Sequence, residues 1–387
     1  MNKLKHIVFS VAKAFVIILS VISIMLVIFA LGKPEKLTTQ IGTIFGPMLL
    51  PLLIISLVIL TGVELIFLIK KVKGNYLQNK LSIIAIAFSV VALVSTSLLW
   101  HSMCSAVRDN GGSISVFDGF SMFKNPSDDE KVVYATHDGE NLTISVYKNK
   151  EKTDGSLSPV YVYIHGGGWQ SSDSESNGVM HRNMSDSGYL GFSINYRLCT
   201  DDVATWDTAI YDCAEAMNWI YAHAEEYGGD PNRIVLSGES AGGHLALLYT
   251  GRVTDGSLDA PIPQAVCVMY PAVDLKWVSE NARYLSSGLV PGIVERFIGG
   301  SLDEYPERVE AIDPFTYINE NMPPVLIIHG EKDTLVSVTG SEAYVAKLSE
   351  LGVKNKLVEI PFCNHGTIGN ETLMRSFLKD IDGMSVE

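Results

Sequence analysis

A serine flanked by small residues is the clearest chemical feature of this 387-residue chain. The stretch RIVLSGESAGGH contains the pattern G-x-S-x-G at residues 238–242, with Ser240 at its centre. A strand-like apolar run precedes the pattern and a helix-like apolar run follows it. Glycine on either side lets the chain turn sharply and lift the serine hydroxyl above a sheet, at the N-terminus of a helix. We therefore predict that Ser240 is a nucleophile.

A serine hydroxyl needs an adjacent base, and the base needs a third group to orient it. After a strand–turn–helix serine, the acid and then the histidine follow at the C-terminal ends of later strands. The run PPVLIIHGEKD ends at Asp333, and the run NKLVEIPFCNH ends at His365. We predict the triad Ser240, Asp333 and His365, with Glu331 as a fallback acid.

Three other histidines and one tryptophan lie in or near the same strand-like and helix-like runs. His329 lies within its strand and His244 lies inside the helix after Ser240, so both are expected to be structural. His165 is expected to brace a loop by hydrogen bonding. Trp169 either lines a substrate pocket or packs in the interior, and the sequence leaves both readings open.

A glycine-rich loop is the predicted source of the oxyanion donors. An acyl-transfer intermediate at Ser240 needs backbone N–H groups aimed at its oxyanion. The run VYVYIHGGGW places three consecutive glycines directly after an apolar strand. Without Cβ atoms, their amides can approach a substrate closely. We predict that Gly167, Gly168 and Ala241 form the oxyanion hole.

The elements that must position these residues alternate along residues 131–381. Fully apolar strand-like runs alternate with amphipathic helix-like runs, which is typical of a parallel sheet covered by helices on both faces. The runs KVVYAT and LTISVYK predict a hairpin that turns at Asp138 and Gly139. Residues 274–322 are expected to cover the site and set its specificity.

These residues also carry a family resemblance, which covers residues 131–381. The runs HGGGW, NYRL, YGGDPNRIVLSGESAGGHLAL, DPFTYI, PPVLIIHGEKDTLV and NHG resemble those of α/β-hydrolases in the hormone-sensitive-lipase-like and acetyl-esterase branch. The resemblance implies the α/β-hydrolase fold, with structural roles for Arg197 and Asp212. It implies hydrolysis of carboxylic esters, commonly of short acyl groups and including acetylated sugars, with no metal and no organic cofactor.

This chain departs from the family at three points. The family's usual G-D-S-A-G is G-E-S-A-G here, and the run DTLVSV lacks the common proline after the acid. The N-terminal third lies outside the resemblance.

A peptidase of the same fold and a non-catalytic binding ectodomain are the alternatives. Peptidases of this fold usually carry a further large domain, and binding ectodomains typically lack a triad member.

The N-terminal third contains three apolar runs, at residues 7–31, 41–69 and 81–100. Each reaches the roughly 20 residues that cross a bilayer as a helix, and none shows the polar face of a core helix. We therefore predict a multi-pass membrane protein whose first run is a retained anchor.

Lysine placement orients this predicted bundle. Residues 1–107 carry nine Lys and two Glu, and the lysines concentrate before the first run and between the second and third. The positive-inside rule puts these segments in the cytoplasm and everything after residue 107 outside. The predicted domains are a membrane anchor at 1–107, a Gly- and Ser-rich linker at 108–130 and a catalytic domain at 131–387. We expect few contacts between anchor and catalytic domain.

The charge of the remainder restricts its partners. Residues 108–387 carry 20 Lys and Arg against 41 Asp and Glu, which argues against a broad nucleic-acid-binding surface. The predicted partners are a small-molecule ester and the lipid bilayer, and the oligomeric state stays open. The five scattered cysteines have no metal-ligand spacing and are expected to be mostly buried thiols.

Overall fold

The computed structural model describes residues 2–69, 76–124, 126–150, 155–283, 292–381 and 383–384. Lys70, Lys71 and Lys73, which contributed to the predicted orientation, lie outside the described residues. Residues 284–291 of the predicted cover also lie outside them.

Three long helices open the chain: α1 (Asn2–Ala30), α2 (Leu37–Ile69) and α3 (Tyr76–Asp109). Within the described residues, three segments are long and apolar enough to cross a membrane: Ser10–Ala30, Leu37–Ile66 and Lys80–Asp109. The helices are longer than the apolar runs that predicted them. α2 continues through Pro47 and Pro51 without a break.

The rest of the described chain builds one eight-stranded sheet in the order β1-β2-β4-β3-β5-β6-β7-β8. The strands are β1 (Glu130–His137), β2 (Glu140–Tyr147), β3 (Ser158–Ile164), β4 (Leu190–Ile194), β5 (Gly229–Glu239), β6 (Ala265–Met269), β7 (Val325–Gly330) and β8 (Asn355–Ile360). β2 runs antiparallel to β1 and β4, and the pairs from β4 to β8 are parallel. The predicted hairpin is present, because Asp138 and Gly139 both have positive φ between β1 and β2.

Helices cover both faces of this sheet. They are α4 (Gly178–Asp186), α5 (Ala209–His223), α6 (Ser240–Thr254), α7 (Leu275–Asn281), α8 (Ile293–Ile298), α9 (Pro306–Ile312), α10 (Val338–Glu350) and α11 (Asn370–Leu378), with 3-10 helices at Val116–Phe123, Ala224–Tyr227 and Pro314–Tyr317. On β3, Val160 and Val162 join the apolar cluster on one face, while Tyr161 and Tyr163 join the cluster on the other. Successive side chains of a strand point to opposite faces, so a strand buried on both sides is apolar throughout.

The second of these clusters includes residues of the long N-terminal helices. Met103 and Val107 of α3 are fully buried in the same cluster as Ile360 of β8 and Met374 of α11. The expectation that few contacts join the anchor to the catalytic part is therefore wrong. The outer end of α3 serves as part of the covering layer of the sheet, which would otherwise expose apolar side chains to water.

Hydrogen bonds also cross this junction. The Lys356 ammonium donates to the Asn110 carbonyl at 3.0 Å, and the Ser113 amide donates to the Thr372 hydroxyl at 2.9 Å. On α2, the Thr43 hydroxyl accepts from the Asn364 amide side chain at 3.1 Å. The N-terminal end of α2 and the C-terminal end of α3 thus both contact the hydrolase part.

Candidate active site

Ser240 stands at the junction of β5 and α6, where the chain turns most sharply. It is the first residue of α6 and has φ 51°, a left-handed backbone conformation that is rare for residues other than glycine. A Cβ on Gly242 would lie 2.1 Å from the Ile164 carbonyl oxygen. The G-x-S-x-G spacing is thus required because the turn presses its backbone against β3.

His365 lies beside the serine hydroxyl. Its Nε2 is 2.9 Å from Ser240 Oγ, and its Nδ1 is 2.8 Å from Asp333 Oδ2. A carboxylate only accepts hydrogen bonds, so Nδ1 carries the proton of the neutral ring. The Nε2 lone pair therefore faces the serine hydroxyl, which is the tautomer that a general base needs.

Asp333 is a buried carboxylate held by four donors. Its Oδ1 accepts the backbone amides of Leu335 and Val336 at 2.8 and 2.9 Å. Its Oδ2 lies 2.8 Å from His365 Nδ1 and 3.2 Å from His329 Nε2. Burial by itself would raise the pKa of Asp333, but the positive potential of His365 and the histidine hydrogen bonds outweigh it. The pKa of Asp333 is therefore held well below its usual range.

His329 takes part in this arrangement more closely than its position within β7 indicated. Its Nε2 faces two acceptors, the Asp333 carboxylate and the Val336 carbonyl, so Nε2 carries the proton. Its Nδ1 is 2.8 Å from the Ser341 hydroxyl. The residue is fully buried, as expected, and also fixes the acid.

The glycine loop lies next to Ser240 and lines a small cavity. Gly167 has φ 106°, and a Cβ on it would meet the Ser171 carbonyl oxygen at 2.1 Å, so only glycine fits there. The cavity measures about 280 Å³ and has a largely apolar wall. It is lined by Gly166, Gly167, Gly168, Trp169, Glu239, Ser240, Ala241, Tyr270, Ala272, Val278, Ile293, Leu335, Val336 and His365. The predicted nucleophile, base and oxyanion donors thus share one cavity.

Two aromatic contacts brace the glycine loop. The His165 ring stacks on Tyr196 with centroids 4.5 Å apart, and the Tyr196 hydroxyl donates to the His165 carbonyl at 3.0 Å. Trp169 stacks on Phe297 at 4.7 Å and donates from Nε1 to His244 Nδ1 at 3.3 Å. Trp169 thus packs in the core and also lines the small cavity, so its role in a substrate pocket stays a prediction.

A polar chain beside the nucleophile escaped the sequence reasoning. The Glu239 carboxylate accepts from the Tyr270 hydroxyl at 2.5 Å and from the Asn177 amide at 2.6 Å. The Tyr270 ring in turn lies 4.6 Å from the His365 ring. Burial and the neighbouring Glu239 carboxylate hold the pKa of Tyr270 well above its ordinary value, so its hydroxyl stays a donor. The one available signal was the departure from G-D-S-A-G to G-E-S-A-G.

Asn364 is the second residue that sequence reasoning left without a role. It is 1% exposed and its Oδ1 accepts the backbone amides of Thr334 and His365 at 3.2 and 2.8 Å. Its Nδ2 donates to Thr43 of α2. One buried side chain therefore joins the loop of Asp333, the loop of His365 and helix α2.

The BD-FAE family model matches residues 144–348, more than half of the chain, including Ser240 and Asp333. The chain belongs to the BD-FAE family.

Several of the curated proteins that are similar to this chain are named esterases. It is 28% identical over 239 residues to esterase LipQ of Mycobacterium tuberculosis, with 60% of this chain and 56% of that protein covered. It is 30% identical over 224 residues to esterase LipC of the same organism, with 54% and 53% covered. The chain thus spans about half the length of the curated relatives that it matches.

A solved structure supports the fold. The propionate-bound thermophilic esterase Est2 of Thermogutta terrifontis superposes with a TM-score of 0.52 at 25% identity, covering 66% of this chain and 92% of that one. The expected α/β-hydrolase fold and the resemblance to its esterase branch are confirmed. The catalytic roles of the individual residues stay predictions.

Other residues singled out in this BD-FAE-family sequence lie away from the cavity. The Glu331 carboxylate is about half exposed beside Lys332, so it does not replace Asp333. Arg197 and Asp212 form a bidentate pair with N–O distances of 2.6 and 2.9 Å, consistent with structural roles. All five cysteines are buried free thiols.

One cluster within the described residues has the composition of a metal site. His137, Asp212 and Glu215 bring their ligand atoms within 4.8 Å of one another. The Arg197 guanidinium already engages both Asp212 oxygens, and His137 Nε2 contacts the Glu215 carboxylate at 2.8 Å. These bonds account for the cluster as an ion-pair network.

Proposed function

We propose that this chain is a membrane-anchored carboxylic ester hydrolase that acts through Ser240, Asp333 and His365. The observation that carries the proposal is the relay of short contacts, 2.9 Å from Ser240 Oγ to His365 Nε2 and 2.8 Å from Nδ1 to Asp333. The esterase relatives support the reaction type.

In the first half-reaction, Ser240 Oγ attacks the ester carbonyl while His365 Nε2 takes the hydroxyl proton. The backbone amides of Gly167, Gly168 and Ala241 stabilise the oxyanion. The intermediate collapses, His365 returns the proton to the departing alcohol, and the acyl group stays on Ser240. Asp333, ionised throughout, stabilises the imidazolium.

In the second half-reaction, His365 takes a proton from water as the water attacks the acyl-serine. The second tetrahedral intermediate collapses, His365 returns the proton to Ser240 Oγ, and the products are a carboxylic acid and free Ser240. The small cavity beside the serine holds the acyl group. Its volume of about 280 Å³ favours short acyl chains. The similar Est2 structure has propionate bound, a short carboxylate, which supports this assignment.

Removal of the nucleophile is the direct test. We expect Ser240→Ala to abolish labelling by a fluorophosphonate probe and to lower turnover of p-nitrophenyl acetate by roughly 10⁴–10⁶-fold. Exposed Ser257 supplies the matched variant, Ser257→Ala, which should label and turn over normally. Normal turnover by a folded Ser240→Ala protein would exclude the mechanism. Absence of labelling in the unmodified protein would favour the non-catalytic alternative.

We further propose that the three helices span the cell membrane and that the hydrolase part lies outside the cytoplasm. The apolar helices and the lysine asymmetry of residues 1–107 support this orientation. Protease added to intact cells or spheroplasts should then digest the part after residue 107. If that part were protected from protease until the membrane is permeabilised, the orientation would be the opposite of the one proposed.

A further inference from the structure

A second, larger cavity opens on the far side of His365. It measures about 1120 Å³, four times the volume of the small one. Among the described residues, the two cavities share Glu239, Tyr270 and His365 as lining, whereas Ser240 and the glycine loop line only the small one. His365 therefore stands at the boundary between them.

This boundary determines which part of an ester enters each cavity. The acyl group bonds to Ser240 and its carbonyl oxygen must face the glycine loop, so it occupies the small cavity. The departing alcohol must lie next to His365 Nε2 to receive its proton. The large cavity lined by His365 therefore receives the alcohol part of the substrate.

One wall of the large cavity is a membrane helix. Ile44, Pro47, Met48 and Pro51 of α2 line it, together with Trp100 of α3. These α2 residues lie within the apolar span Leu37–Ile66. Nothing about ester hydrolysis requires such a wall, because the triad and the oxyanion donors all lie in the hydrolase part.

The level of this wall in the bilayer follows from helix geometry. The 20 helical steps from Lys80 to Trp100 of α3 rise about 30 Å, the thickness of the hydrocarbon layer. With Lys80 at the inner boundary, Trp100 lies at the outer one, where Trp is favoured. Pro47 and Pro51 line the same cavity as Trp100. The α2 wall of the cavity thus lies at the level where the outer leaflet begins.

The Val116–Phe123 helix forms an apolar rim at the same level. Its Phe117, Phe120 and Phe123 are 67%, 44% and 70% exposed. A Cβ on Gly119 would lie 2.6 Å from Pro51, so the helix lies directly against α2. Three exposed aromatic rings beside a membrane helix are stabilised by the interfacial layer of a bilayer, not by water.

The opposite wall is polar. It presents amide and charged side chains: Asn177, Asn183, Asn370, Glu371 and Arg375. Such donors and acceptors suit a hydroxylated head group rather than a hydrocarbon chain. The cavity therefore has a hydrophilic wall on the hydrolase side and the apolar α2 wall on the bilayer side.

We propose that the substrate is a short-acyl ester of a membrane-resident amphiphile, with its hydroxylated head in the large cavity and its hydrocarbon tail along α2 in the outer leaflet. This inference rests on the proposed esterase activity. Water cleaves the acyl–oxygen bond, the short acid leaves to the aqueous phase, and the deacylated alcohol stays in the bilayer.

The test uses the full-length protein reconstituted in phosphatidylcholine vesicles. Three esters with the same acyl group are compared: O-acetylated hexadecyl glucoside in the vesicles, O-acetylated methyl glucoside in solution, and p-nitrophenyl acetate. We expect kcat/KM for the hexadecyl ester to exceed that for the methyl ester by at least about tenfold. An equal or higher value for the methyl ester would identify a soluble sugar ester and overturn the inference.

A pair of variants tests the role of α2. The double variant Ile44→Trp/Met48→Trp fills the cavity at its α2 wall. The double variant Val58→Trp/Ile59→Trp introduces two tryptophans on an exposed part of α2 outside the cavity. We expect the first pair to lower the preference for the hexadecyl ester over p-nitrophenyl acetate by about tenfold, and the second pair to leave both rates unchanged. An unchanged preference in the first pair would overturn the inference.

Failure of the inference and failure of the proposed function give different results. Hydrolysis of p-nitrophenyl acetate without hydrolysis of the vesicle-held ester refutes the amphiphile and keeps the esterase. Hydrolysis of neither by folded protein refutes the esterase, and the inference falls with it.

Discussion

Asp333 is a buried carboxylate whose partners compensate for its burial. Two backbone amides and two histidines stabilise the charged form, and they hold the pKa of Asp333 well below that of the unfolded chain. A carboxyl group with a depressed pKa stabilises the fold above its unfolded pKa, and this stability is lost as the pH falls toward the folded pKa. Asp333 therefore stays ionised across the pH range in which His365 must exchange protons.

Tyr270 is a positioning residue for His365. We expect Tyr270→Phe to keep the ring contact with His365 but to remove the hydroxyl that binds Glu239. Without that hydroxyl dipole, the Glu239 carboxylate stabilises the positive charge of the imidazolium more strongly. The acid limb of the kcat/KM profile for p-nitrophenyl acetate should move up by roughly 0.3–1 pH unit.

Two comparisons distinguish this electrostatic effect from a packing defect. Tyr270→Phe/Glu239→Gln removes the carboxylate charge as well, so its acid limb should not move up. A uniform loss of activity at every pH in Tyr270→Phe would show that the hydroxyl has only a structural role.

Helix α6 and the glycine loop are locked together by one buried histidine. His244 accepts from Trp169 at Nδ1 and donates from Nε2 to the Ile312 carbonyl at 2.8 Å, so both ring nitrogens are used by the neutral form. Burial lowers the pKa of His244 to about 4. A proton on Nδ1 would break the bond to Trp169 and loosen the loop.

We expect this histidine to make the fold acid-sensitive. Because the folded pKa is below the unfolded value of about 6.5, the unfolded chain binds the proton first. Stability is then lost as the pH falls from about 6.5 to 4. His244→Gln, whose amide can serve as both donor and acceptor, should flatten the decline of the thermal unfolding midpoint in detergent over this window.

A half-exposed histidine on α5 provides the control for that measurement. His223→Gln should retain the full decline of the midpoint. Burial also lowers the pKa of His181 to about 4. The unfolding midpoint of His244→Gln should therefore still decline in part over this window, because His181 is unchanged. An unchanged slope in His244→Gln would contradict the assigned role.

At the scale of the molecule, the long N-terminal helices and the hydrolase part share a core. We expect a chain that starts near residue 125 to lose the cover that Met103 and Val107 provide and to expose the apolar face around Met374. Asn364 also loses Thr43. The truncated protein should aggregate or should hydrolyse p-nitrophenyl acetate at least about tenfold more slowly than the full chain.

A full-length variant separates the two contributions. Thr43→Val removes the hydroxyl that accepts from Asn364 but leaves the apolar cover in place. It should lower kcat by a few-fold without causing aggregation. A soluble truncated protein with full turnover would show that the two parts are independent modules.

Local pattern was sufficient for much of the fold and for the predicted relay. An elbow serine needs glycine around it, and parallel strands place their C-terminal ends at one edge of a sheet, so Ser240, Asp333 and His365 could be named from position along the chain. The hydrophobic runs likewise fixed three helices, because a span of about 20 apolar residues has few other solutions.

Only the tertiary structure decided the contacts between side chains that are distant in sequence. Asn364 and Thr43 are 321 residues apart, and Tyr270 and Glu239 are 31 apart. Neither spacing has a periodicity that a local pattern can reveal. Packing of α2 and α3 against the hydrolase depends on complementary apolar surfaces that form only when both parts are folded. For this reason the sequence indicated an esterase with a separate anchor, and only the folded chain placed α2 in the wall of a cavity that His365 also lines.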